Sequence, residues 1–253
     1  PASAMPVPSP LAADPHSLAR AAELLVKAQR PVIMAEYLGR DPRGFHALVE
    51  LAETLGAPVF DINSRLNFPG CHPLNLSMVK EVFRDADLIL CLDVRDWEKP
   101  TTELVSTTRT MNSLVPEDCV WIDIGFGDLE LSSWAMDYQR LMHAQLRVLG
   151  DTTLAVPALT VLCRERIARD SGLQSLIEER SRRTAGRHRD ARAKWASEAL
   201  QDRDASPVTL PRLASTLPNR TTAHFISPCA ATVSTTRSAS RFVAPMTFVG
   251  LTA

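Results

Sequence analysis

The chain has 253 residues and a formal net charge of -1, enough to bury a sizeable core in one domain or two. Lysine and arginine balance aspartate and glutamate, so no bulk field exists to draw nucleic acid or a membrane surface. Five cysteines at wide spacing (Cys71, Cys91, Cys119, Cys163 and Cys229), none in a C-x-x-C pair, exclude a zinc or redox-couple signature and read as reduced thiols of the cytosol or an organelle matrix.

No stretch approaches the roughly 20 apolar residues a membrane-spanning helix needs. The opening segment, residues 1–13, is rich in proline, alanine and serine, with no basic residue and no apolar centre. It reads as a linker and not a signal peptide, and the absence of an initial methionine fits a chain that starts inside something longer.

From Asp14 the pattern is regular. Asp14 as cap, Pro15 at the first helical position, and Leu18, Ala21, Ala22, Leu25 and Ala28 at helical spacing predict a helix to about Gln29. Pro31 opens "PVIMAE", a strand apolar on both faces, as a parallel strand covered by helices must be. Asp41 and Pro42 start a second helix whose stripe is Phe45, Leu48, Leu51, Ala52 and Leu55, with Gly56 at the place of a left-handed cap. Further strands are expected at 57–62, 87–94, 119–125 and 145–151, with short helices at 77–86 and around Trp97 to Thr108. Helices alternating with wholly apolar strands predict an α/β, Rossmann-like parallel sheet with helices on both faces, over residues 14–170.

Ligands of such sheets bind at the carboxyl ends of the strands, where the strand order reverses. That directs attention to the loops 36–40, 63–73, 93–99 and 125–128. Residues 171–205 form a charged helical connector, its arginines interleaved with glutamates, which predicts a solvated or packing helix and no nucleic-acid contact. Residues 206–253 begin like a capped element at "SPVTLPRLASTL". They then become rich in Ser, Thr and Ala with no periodicity, and read as the truncated or aberrant, largely irregular start of a C-terminal domain.

Specific catalytic motifs are missing: no G-x-S-x-G, H-E-x-x-H or G-x-x-x-x-G-K-[ST] occurs. Gly39 and Gly44 stand five apart and do not make G-x-G-x-x-G, although Gly39 would let a backbone approach a phosphate and the helix from Pro42 offers N–H groups to an anion. His72 lies in a loop at the expected ligand edge. Asp123, Asp128 and Asp151 end strands, where a carboxylate caps the next helix or binds ribose hydroxyls.

Taken together, "SLARAAELLVKAQRPVIMAEYLGRDPRGFHALVELAETLGAPVFDINSRLNFPGCHPLN", "FRDADLILCLDV" and "CVWIDIG" resemble the central domain of thiamine-diphosphate-dependent enzymes of the acetohydroxyacid synthase, benzoylformate decarboxylase and oxalyl-CoA decarboxylase type, from about Asp14 to Ala168. The resemblance implies a parent 2-oxo acid decarboxylase or carboligase that uses thiamine diphosphate and magnesium. In that family the coenzyme lies between two outer domains, and the metal is held by a G-D-G...N-N segment. Neither Gly127-Asp128 nor Gly150-Asp151 continues that way, so the chain alone is expected to be inactive.

In some members the central domain binds FAD or ADP through a glycine-containing loop after the first strand. The resemblance therefore implies Gly39 and Arg40 as cofactor-binding positions, with His72 and Asp123 as further candidates. Where the family commonly shows a second glycine, this chain has Glu36, Tyr37 and Leu38. A homo-oligomer, or pairing with a full-length homologue, is the partner expected. The alternatives are a stand-alone nucleotide-binding or regulatory module and a non-functional truncated product.

Overall fold

The computed structural model describes residues 9–62, 65–105, 107–108, 110–126, 143–201, 209 and 213. The expected irregular tail lies outside them apart from Thr209 and Leu213, as do the first eight residues of the linker, Asp128 and Cys229.

Helix α1 (Pro15–Lys27) begins because the Asp14 carboxylate accepts the Ser17 N–H at 2.7 Å while Pro15 fills the first turn. Strand β1 (Pro31–Ala35) follows, buried at all five positions. Helix α2 (Pro42–Leu55) starts on Asp41, whose side chain accepts the Arg43 N–H, and stops at Gly56 with φ of 60°. A side chain at Gly56 would also meet the Ile177 carbonyl at 2.4 Å, so the glycine serves both the left-handed cap and the approach of the last helix.

Strands β2 (Val59–Asp61) and β3 (Leu88–Leu92) are again wholly buried. The short helix expected at 77–86 is a single 3-10 turn, Lys80–Phe83. In place of the helix expected around Trp97 to Thr108, the described residues form a turn at 98–101 and an antiparallel pair, β4 (Thr102–Val105) with β5 (Thr110–Ser113). Five threonines and a valine in 101–110 favour an extended chain, since β-branched side chains lose rotamer freedom in a helix.

β6 (Val120–Gly125) and β7 (Leu146–Leu149) complete the main sheet. Its order is β2-β1-β3-β6-β7, and every neighbouring pair is parallel. One row of side chains, Val59, Ile33, Leu90, Ile122 and Leu146, crosses all five strands in register. This row lies in the larger hydrophobic cluster, with Leu18, Leu25, Leu48, Leu51 and Leu159 of the covering helices. The opposite face carries Met34, Phe60, Ile89, Cys91 and Trp121 under Phe83 and Trp97. The sheet is thus a parallel α/β sheet buried on both faces, as a run of apolar strands demands.

Two helices close the described chain. α3 (Thr152–Ala168) starts on Asp151, which accepts the Thr153 N–H at 2.8 Å, and carries Pro157 inside it. α4 (Ser171–Gln201) packs on α1, α2 and α3, and carries one buried polar stripe, Arg180, Thr184 and His188, of which Arg180 reaches the ends of α1 and α2 and His188 meets the Asn75 carbonyl. The linker's last residues also pack: Leu11 O accepts the Asp151 N–H, and Ala13 sits on Gly150 where a Cβ would meet it at 2.8 Å. Among the described residues, no helix is long and apolar enough to cross a membrane.

Candidate functional site

The strand order reverses between β1 and β3: the chain steps from β1 outward to β2, then returns past β1 to β3. At the carboxyl ends of these strands a cavity of about 440 Å³ opens, lined by Tyr37, Arg40, Arg65, Asp93, Val94, Arg95 and Phe126. All four loops expected from the sequence contribute to it.

Its floor is fixed by an asparagine and an aspartate the sequence did not bring forward. Buried Asn67 donates through Nδ2 to the carbonyls of Glu36 and Arg65 and to Asp61 Oδ1, while its Oδ1 accepts the Gly39 N–H at 2.7 Å. Asp61, at the end of β2, accepts the backbone N–H groups of Asn67 and Phe68. Its own N–H goes to Ser77 Oγ, itself tied to Asn75. The loops after β1 and β2 are therefore one hydrogen-bonded unit, with every group of the Asn67 amide used.

This alters the reason for Gly39. A Cβ there would stand 2.1 Å from the Leu66 carbonyl oxygen, so the glycine is required by the approach of the neighbouring loop, and its N–H is given to Asn67 and not to a ligand. The N-terminus of α2 is likewise used at Asp41, which takes the Arg43 N–H.

Arg40 does line the cavity, but its charge is met. It pairs with Asp93 Oδ2 and lies 3.4 Å from Asp151 Oδ1. Asp93 is nearly buried, its side chain 7% exposed against 36% for Arg40, and it also accepts the Thr152 hydroxyl. Asp93 holds φ of 51°, the one non-glycine residue with positive φ among those described, and Gly125 leaves room for it: a Cβ on Gly125 would meet Asp93 Oδ1 at 2.6 Å. A strained residue held by three neighbours at a ligand edge is a mark of a built site. Glu36, which reads in the sequence as a negative charge beside an anion, turns its Oε2 to the Arg95 N–H at 2.7 Å.

Arg65 and Arg95 differ from Arg40. Both are exposed on the cavity wall, and among the described residues their guanidinium groups meet no carboxylate.

The other two candidate residues stand elsewhere. His72 accepts the Leu74 N–H on Nδ1, which leaves Nε2 to donate to Glu53 Oε1 at 3.2 Å, and its ring packs edge-on against Phe68. It is a loop-packing histidine outside the cavity lining. Asp123 lies within β6, paired in register with Cys91 and Arg147, on the face where Arg147 stands over Trp97 and Trp97 stacks on Trp121. Burial raises its carboxyl to about 7, Arg147 opposes the shift, and Asp93 adds to it. Burial also pushes the Cys119 and Cys163 thiols up to about 12, so neither is a thiolate at neutral pH.

The described residues do not fit a magnesium diphosphate site. They contain no group of three or more His, Cys, Asp or Glu placed to hold a metal, and Asp151 of the Gly150-Asp151 pair is engaged by Thr153 and Arg40. The cavity, by contrast, suits an organic anion, with two arginines that meet no carboxylate among the described residues and two aromatic rings.

Residues 18–128 match the family described as thiamine pyrophosphate enzyme, central domain. Similar solved structures include one described as a thiamin diphosphate-dependent enzyme from Mycobacterium smegmatis, with 26% identity, a TM-score of 0.46, and 64% of this chain against 30% of that one. Another is the benzoylformate decarboxylase from Polynucleobacter necessarius, with 17% identity, a TM-score of 0.44, and 63% of this chain against 29% of that one. The chain thus corresponds to less than a third of the length of either. No curated protein matches it. The matched segment 18–128 carries the strands β1, β2, β3 and β6 and the loops that line the cavity, up to Phe126.

Proposed function

We propose that the cavity binds the diphosphate of an adenine nucleotide, ADP or FAD, and that this domain serves a thiamine-diphosphate-dependent 2-oxo acid decarboxylase or carboligase as its non-catalytic central part. The observation that carries the nucleotide reading is the pair Arg65 and Arg95. They are two guanidinium groups on the loops after β2 and β3, facing one cavity without carboxylate partners among the described residues. A guanidinium offers paired N–H donors that match phosphate oxygens.

The volume of about 440 Å³ lies within the roughly 300–1,000 Å³ range of small-molecule sites. Tyr37 and Phe126 supply flat apolar surface for a ring system, and the cavity lies at the reversal of strand order where such sheets take their ligands. Arg40, held by Asp93, has the role of bracing the wall. Thiamine diphosphate and magnesium belong, in this reading, to parts of the parent enzyme outside this domain.

Calorimetric titration of the purified chain tests the reading. Saturable heat with ADP or FAD, and none with thiamine diphosphate plus magnesium, is the expected result. No heat with either nucleotide would refute the nucleotide site and leave a structural domain. A second arm is activity: the purified chain is expected not to decarboxylate pyruvate or benzoylformate, and turnover of either would overturn the non-catalytic assignment.

A further inference from the structure

On the opposite edge of the sheet, at the amino ends of β1 and β2, a second and much smaller cavity of about 20 Å³ lies beneath α4. Its lining includes Arg30, Arg180, Arg183 and Arg187, against one carboxylate, Asp85, and the hydroxyl-bearing Thr184. Four guanidinium groups around a space of this size, inside a protein of nearly zero net charge, require an explanation.

Three of the four have visible occupations. Arg187 grips Asp85 through both terminal nitrogens, at 2.8 and 3.3 Å, which consumes the only carboxylate in the lining. Arg30 gives its Nε–H to the Asp85 carbonyl, and Arg183 gives one donor to the Gln29 carbonyl. Arg180 is the unusual one. It is fully buried, at 0% exposure, and its terminal nitrogens donate to the carbonyls of Leu25, Val26, Ala28 and Leu55, near the ends of α1 and α2. Those dipoles favour a cation, yet they are not a counter-charge. Asp87 lies within electrostatic reach, but both its oxygens accept backbone N–H groups, from Gln29 and Arg30. The Nε–H of Arg180 has no hydrogen-bond partner among the described residues.

A buried guanidinium with an unmet donor, beside a cavity walled by three more cations, is costly unless an anion completes it. We infer that this crevice is a binding site for a single halide-sized anion, held by Arg180 with Arg30 and Arg183, which ties α4 to the amino edge of the sheet. Size points to the ligand class: a space of about 20 Å³ matches one water-sized particle and is too small to enclose a phosphate or a nucleotide. Charge favours an anion over water, since four cations face two carboxylates, Asp85 already paired with Arg187 and Asp87 already bonded to backbone N–H groups. The site is separate from the nucleotide cavity and does not depend on it.

The test is bromide, which scatters anomalously and is close to chloride in size. Crystals of the full chain grown with sodium bromide are expected to show an anomalous peak within hydrogen-bonding reach of Arg180 Nε. In solution, replacing sodium gluconate with sodium bromide at constant ionic strength is expected to raise Tm by a few degrees. In Arg183→Gln, where Arg180 and its helix contacts remain, the bromide concentration giving half of that rise is expected to increase about tenfold. A water at that position without a bromide peak would overturn the inference. So would a Tm indifferent to the anion, which would mark any crystalline bromide as adventitious, and so would an unchanged bromide response in Arg183→Gln.

Discussion

The two edges of the sheet use the same residue for opposite ends. At the carboxyl edge, arginines stand on loops around a cavity of about 440 Å³: Arg40 is neutralised by Asp93, and Arg65 and Arg95 are left to the cavity. At the amino edge, arginines of α4 are turned inward, and Arg180 spends its donors on backbone carbonyls of two other helices. The lesson is that exposure and the identity of the acceptor, not the count of positive charges, separate an arginine whose whole guanidinium is open to a ligand from one whose terminal donors build the fold and leave at most one N–H for a small ion.

The strongest way to break that contrast is at Arg180. Arg180→Ala would strand four buried carbonyls and open a cavity under α4, for an expected loss of about 3–5 kcal/mol in urea unfolding. Arg183→Ala, half-buried with one carbonyl partner, is expected to cost no more than about 1 kcal/mol. Equal losses would mean that the inward edge is not built on Arg180.

Next in size is Arg40. Arg40→Gln leaves the nearly buried Asp93 without its cation and is expected to cost about 1–3 kcal/mol in the same assay. Arg65→Gln should leave stability unchanged within about 0.5 kcal/mol. The reverse ranking would place the structural arginine of this edge at 65 and not 40.

A further test is one of pH. Asp123 has a carboxyl near 7 when folded, against 3.8 as the ordinary value, because burial opposes its charge. Between those two values the folded state binds more protons than the unfolded state, so Asp123 makes stability fall as pH rises from about 4 to 7. Asp123→Asn is expected to flatten that decline, with its advantage over the parent growing toward pH 7. Parallel stability curves for the two proteins across that range would show that Asp123 ionises at its ordinary value.

Much of this architecture was legible in the sequence. All five strands of the parallel sheet stand out as apolar runs, and α1 and α2 announce themselves through Asp14-Pro15, Asp41-Pro42 and Gly56. α3 did not, because Thr152, Thr153 and Pro157 crowd its first half, and only the Asp151 cap hinted at its start. The pair β4 and β5 stands where the sequence predicts a helix, its threonines favouring the extended chain.

The four ligand-edge loops were found from topology, but the residues that organise them were not. Asn67 works through partners 28 and 31 positions away and Asp93 through one 53 away, and such reach carries no local pattern. The Glu36 carboxylate is committed to the Arg95 N–H, 59 positions away, which no local pattern discloses.

One titration tests most directly whether Arg65 and Arg95 are ligand-facing charges. ADP is titrated into the parent chain, into the double variant Arg65→Gln/Arg95→Gln, and into Arg43→Gln, whose guanidinium pairs with Asp41 outside the cavity. The expected result is saturable binding to the parent, a loss of at least about tenfold in affinity in the double variant, equivalent to about 1.4 kcal/mol, and no change in Arg43→Gln. Undiminished ADP binding by the double variant would contradict the assignment of these two arginines to the nucleotide.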